Sequence, residues 1–208
     1  MASHPAIRPA AFIRYKFLNS LFLGLSVGAV FVLYTPLSPA VFSAGGLGLA
    51  VGTLIVATQY RRILVPAWFF RLSLIVELIT LSGVAAALIL PIEVPLALLV
   101  YIGYQITFSL GNYLVRCDTL LIGPVDQLRR LDVAKQAGYL LGMAVAWGLY
   151  TGLERLAGVT SEAAQVVSLH WLLLGVEVSV LFALWQAFNK DQLSDKPLTI
   201  GASPASEP

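Results

Sequence analysis

YIGYQITFSLGNYLVRCDTLLIGPVDQLRRLDVAKQ, residues 101–136, is the stretch around which the rest of the chain is organised. It begins as an apolar run interrupted by Tyr101, Gln105, Ser109, Asn112 and Arg116. Those residues are spaced by four, four, three and four, so a helix puts them on one face and leaves Val, Leu, Ile, Phe and Gly on the others. Hydrocarbon offers such groups no partner, so the polar face is expected to meet other helices or a wet cavity. Asp118, Asp126, Arg129, Arg130, Asp132 and Lys135 follow and make this the most charged part of the chain.

Composition sets the class. Of 208 residues, 58% are hydrophobic and 12% are charged, against about 25% charged in soluble domains. Several apolar runs reach the ~20 residues that cross ~30 Å of hydrocarbon as a helix. They lack the alternation of a transmembrane β-barrel. The expected fold is therefore all-α: a polytopic membrane protein in the lipid bilayer. Its spans fall near residues 12–34, 40–60, 66–90, 96–121, 126–153 and 163–188. The implied organisation is a flexible N-terminus over 1–12, a six-helix domain over 13–188 and a disordered tail over 189–208. The basic start at Arg14 and Lys16 resembles a signal peptide, but the run behind it is long and Phe42 spoils the nearest cleavage site, so it is read as a retained span.

Lys and Arg set the orientation. Arg8, Arg14, Lys16, Arg61, Arg62, Arg71, Arg116, Arg129, Arg130, Lys135, Lys190 and Lys196 fall at one end of a six-span bundle, and Arg155 alone at the other. The positive-inside rule then makes both termini cytoplasmic, in a bacterial cytoplasmic (inner) membrane. It also explains the net charge of +2 without an anionic partner. No basic tract is spaced for nucleic acid. Gly24 with Gly28, and Gly48 with Gly52, form GxxxG spacings that let helix backbones approach closely.

The groups able to carry chemistry are few. Glu77 lies mid-span, where an ionisable side chain is a functional candidate or a protonated structural tie between helices. His170 and Glu177 are seven residues apart on one helical face, at depths suited to a proton relay. The alternative is an interfacial His and a Glu paired with Arg71 or Arg116. Arg71 and Arg116 either snorkel to the interface or pair with an acid. Arg61, Arg62, Asp126, Arg129 and Arg130 form a solvated face, with a cytoplasmic gate as the alternative role. With Cys117 alone and only His4 and His170, no disulfide, metal cage or haem is expected, so cofactors and metal are assigned none. HExxH, GxSxG and phosphate-loop motifs are absent, so no enzyme is expected.

Phe17-Leu18-Asn19-Ser20, Gly52-Thr53-Leu54 leading to Arg61-Arg62, and Arg116 through Leu131-Asp132-Val133-Ala134-Lys135-Gln136-Ala137-Gly138-Tyr139 resemble one six-helix half of a major facilitator superfamily transporter. In the loop after span two, Gly52 and Leu54 fit the start of that family's signature and Arg61-Arg62 its end. The spacing is one residue longer, and Val56 and Gln59 or Tyr60 stand where the family has Asp and a second Gly. The resemblance implies membrane transport of a small solute by alternating access, in a parallel homodimer that supplies the missing half. Asn19, Tyr101, Gln105, Ser109 and Asn112 would line its cavity. The rival reading is a non-transporting membrane subunit or scaffold whose polar faces pack against another subunit.

Overall fold

A computed structural model describes residues 4–193 and Leu198. The described chain forms α1 (Pro9–Tyr34), α2 (Pro39–Thr58), α3 (Tyr60–Ile63), α4 (Pro66–Ile89), α5 (Val94–Ser109), α6 (Gly111–Ile122), α7 (Val125–Arg155) and α8 (Glu162–Ala187), then a 3-10 turn at Lys190–Gln192. Among the described residues there is no strand, only an isolated bridge between Ile7 and Phe188.

Proline opens four of these helices. Pro9, Pro39, Pro66 and Pro95 sit in the first turns of α1, α2, α4 and α5, where the missing N–H is harmless and the fixed φ is already helical. Gly123, at φ 70°, ends α6 in a conformation that disfavours other residues. Ser161 caps α8 by accepting from the Ala164 amide.

α1, α2, α4 and α8 are each long and apolar enough to cross a membrane, and α5 with α6 makes a fifth crossing if the 42° bend between them lies within one span. Four or five of the six expected spans meet this test of length and apolarity. α7 is the longest helix, but Asp126, Arg129, Arg130, Asp132 and Lys135 crowd its first turns.

α1 is the central element. It packs against α7 and α8 and touches α5; α5 packs against α2 and α4; α4 packs against α8. Glycine makes the α1–α7 contact possible. A Cβ on Gly24 would strike the Tyr139 carbonyl, one on Gly138 the Phe17 carbonyl, and one on Gly142 the Leu21 carbonyl. The two backbones therefore touch directly. α2 lies at the opposite edge, has no buried residue, and leans on α5.

The connections alternate between two ends. His4 N–H donates to Leu121 O, Arg8 N–H to Ala187 O, Asn189 N–H to Ala6 O, and Leu198 N–H to Leu64 O. The chain start, the end of α8 and the α3–α4 and α6–α7 connections therefore share one end. Ala6 and Ile7 are buried there, and α1 already begins at Pro9 within the segment expected to be flexible. Of the tail expected to be disordered, residues 194–197 and 199–208 lie outside the described residues.

Candidate functional site

The bundle encloses a polar core built by helical spacing. Tyr15 and Asn19 share a face of α1, and Ser73 and Glu77 share a face of α4. The Tyr15 hydroxyl donates to Glu77 Oε1 at 2.7 Å. Asn19 Nδ2 donates to Glu77 Oε1 at 3.0 Å and Oε2 at 3.2 Å. Glu77 is 2% exposed and Glu177 is fully buried, so neither carboxyl has access to bulk water. Glu177 of α8 faces the Glu77 carboxyl. Among the described residues neither Glu177 oxygen receives a hydrogen bond from a protein donor.

One helical step away, Lys16 Nζ sits 2.9 Å from Asp118 Oδ1. Lys135 Nζ approaches Asp118 Oδ2 at 4.0 Å. The Lys16 ammonium lies 5.6, 5.0 and 5.4 Å from the ring centroids of Phe12, Tyr15 and Phe69, so cation–π attraction replaces part of its lost hydration. α1, α4, α6, α7 and α8 each contribute to this core, which contains three carboxyl and two ammonium groups. Such a set can hold a proton among its carboxyls and exchange partners when that proton leaves.

The other expected site residues are dispersed. Tyr101, Gln105 and Ser109 face α2 and line a cavity of about 660 Å³ between α2 and α5. Tyr101 OH donates to Phe42 O at 3.1 Å, and Ser109 Oγ to Gln105 O at 2.8 Å. The bend at Leu110 ends the stripe. Asn112 and Arg116 lie beyond it on α6, both exposed, with the Arg116 guanidinium 5.5 Å from the Tyr60 ring centroid. The polar stripe expected over residues 101–116 is therefore divided between two helices, α5 and α6.

Arg71 is exposed and stacks on Trp68 at 5.5 Å, so neither it nor Arg116 pairs with Glu177. His170 is buried, but its Nδ1 bonds the Val166 carbonyl of its own helix at 2.7 Å. Arg61, Arg62, Asp126, Arg129 and Arg130 lie away from the polar core, at the surface or partly exposed. Asp118, read with the charged stretch that follows the polar face, is buried within α6 at 3% exposure.

Tyr15, Lys16, Ser73 and Asp118 join this site without having been candidates from spacing or composition. Two i,i+4 polar pairs, Tyr15 with Asn19 and Ser73 with Glu77, are the signal that could have found the first and third. Lys16 resembles an interfacial flank, and no local pattern links it to Asp118. The chain matches no protein-family model, no curated protein and no solved structure.

Proposed function

We propose that this chain is a half-size transporter of the major facilitator type, working as a parallel homodimer that moves a small polar or amphipathic solute by alternating access. The supporting observation is an exchange pattern in the packing. Take the segments in order as one (α1), two (α2), three (α4), four (α5–α6), five (α7) and six (α8). Exchanging one with four, two with five and three with six converts the one–five contact into four–two and the one–six contact into four–three. It returns three–six and one–four to themselves, while the slighter five–six and four–five contacts lack a counterpart. Two inverted three-helix units give that relation, and each half of a major facilitator transporter contains them.

Glu77 and Glu177 stand on segments three and six, which the exchange interchanges, so they meet near its axis. The core's three carboxyls and two ammoniums become neutral when the carboxyls hold one proton. That proton belongs to the Glu77–Glu177 pair, because Lys16 and Lys135 both engage Asp118. Loss of the proton leaves two buried anions in contact and drives α4 and α8 apart, which is the coupling step. In this reading the chain has six spans and both termini in the cytoplasm. The end that gathers the start of α1 and the end of α8 is also the end with the excess of Lys and Arg.

A second reading, a scaffold subunit, draws on the Tyr101–Ser109 stripe. Its hydroxyls are spent on Phe42 and Gln105 carbonyls within the bundle.

The test uses proteoliposomes containing a pH-sensitive dye and challenged with pooled small solutes. Solute-dependent proton movement is expected from the native chain, with loss in Glu77→Gln and Glu177→Gln at equal protein incorporation. Absence of solute-dependent flux from every pool would favour the scaffold.

A further inference from the structure

A second cavity, of about 430 Å³, lies between α1, α4, α5 and α8. That is within the roughly 300–1,000 Å³ range of small-ligand sites. Its mouth is the outward seam of α4 and α5, where Ile75, Leu78, Leu99, Ile102 and Ile106 are 45–55% exposed. α4 is long and apolar enough to cross a membrane and α5 is so together with α6, so that seam faces acyl chains rather than water.

The deeper wall carries Ser26, Thr80, Thr107 and His170. Ser26 Oγ donates to Leu23 O at 2.9 Å, Thr80 Oγ1 to Val76 O at 3.0 Å, and Thr107 Oγ1 to Tyr104 O at 2.9 Å. Each hydroxyl has thereby spent its proton on a carbonyl of its own helix and keeps only lone pairs for anything else. His170 follows the same logic. A carbonyl only accepts, so Nδ1 carries the proton toward Val166 O, and Nε2 of the neutral ring is an acceptor. No Asp, Glu, Lys or Arg lines the cavity. The Tyr104 hydroxyl, the one donor in this wall, stands beside Ser26. Apolar walls therefore surround Thr80, Thr107 and His170 acceptors that still await a donor.

We infer that this cavity binds a neutral single-chain lipophile that enters from the bilayer between α4 and α5 and carries a hydrogen-bond donor, such as a hydroxyl, on its head. The chain lies along the Ile and Leu side chains of the seam, and the donor points at the Thr80, Thr107 and His170 acceptors. The site is distinct from the Glu77–Glu177 core and stands whether or not the protein transports.

Gly83 offers a way to close the site. It lines the cavity, and the nearest atom to an added Cβ is Val100 Cγ2 at 4.0 Å, so a larger side chain enters the void without striking backbone.

The experiment uses the full chain in lipid nanodiscs and a dodecanol derivative bearing a photoactivatable diazirine, with its methyl ether as control. Saturable labelling of α4, α5 and α8 peptides by the alcohol is expected. It should be weaker by about tenfold for the ether, which has no donor to offer. Gly83→Leu should abolish the saturable part. Thr80→Val should narrow the difference between alcohol and ether in a chain of nearly unchanged shape. Equal labelling by alcohol and ether, or non-saturable labelling spread over all apolar helices, would overturn the proposal. So would full saturable labelling of a folded Gly83→Leu protein. If Gly83→Leu fails to fold, the alcohol–ether comparison on native chain and Thr80→Val decides alone.

Discussion

At the scale of single residues, the buried Lys16–Asp118 pair has a sharp consequence. Removing one member of such a pair strands a charge away from water, which costs about 3–5 kcal/mol. Lys16→Met is therefore expected to destabilise the protein strongly, reduced somewhat because Lys135 remains near Asp118. The double change Lys16→Met with Asp118→Leu should recover most of the loss, as measured by equilibrium unfolding in bicelles. Tyr15→Phe should remove about 1.5–3 kcal/mol, the usual contribution of a hydrogen bond to a charged group. His4 provides a pH-sensitive contact outside the bundle. Burial holds its imidazole below the ordinary 6.5, and its Nδ1 accepts from the Ala6 amide at 3.2 Å. The detached N-terminus takes up the proton first, so docking is complete above 6.5 and weakens as pH falls below it. A nitroxide on Pro5→Cys should gain mobility on acidification, and an unchanged spectrum would exclude this role for His4. Glu77 and Glu177 are legible in the sequence because mid-span carboxyls are rare. Lys16 is not, because a lysine near a helix start normally reaches water, and only its aromatic surroundings and Asp118 hold it inside.

Among the helices, the α1–α7 contact is the most demanding. Gly142 meets the Leu21 carbonyl, whereas Gly148 and Gly152 of the same helix have open space where a Cβ would stand. Gly142→Ala is expected to destabilise by ~1–3 kcal/mol through overpacking, and Gly148→Ala to be neutral or slightly stabilising through helix propensity. Thermal unfolding of the two variants side by side checks the contrast. The GxxxG spacings reveal only half of this. Gly24 contacts α7 backbone as close packing requires, while a Cβ on Gly48 would stand in open space. Spacing marks permission for close approach, and only the partner decides which glycines use it. The same limit affects the 101–116 stripe. Its periodicity is a real helical signal, but residue-by-residue spacing does not contain the bend at Leu110 that puts Asn112 on a separate helix from Tyr101.

For the molecule as a whole, helical class and most element boundaries follow from hydropathy and proline placement, since both act within a few residues. The core that joins five helices depends on packing across distant parts of the chain, and no single segment encodes it. The exchange relation among the six segments is likewise a property of the assembled bundle, and it is the main support for a half-transporter completed by a second copy. Such a copy must insert in the same orientation, which the excess of Lys and Arg at one end favours. The most direct measurement is single-molecule photobleaching of a C-terminal green fluorescent protein fusion in bacterial membranes, because that fluorophore matures only on the cytoplasmic side. Fluorescent spots that bleach mainly in two steps are expected. Single-step bleaching at densities where a known dimer gives two steps would contradict the parallel homodimer, and a non-fluorescent fusion that is fully inserted would contradict the cytoplasmic C-terminus.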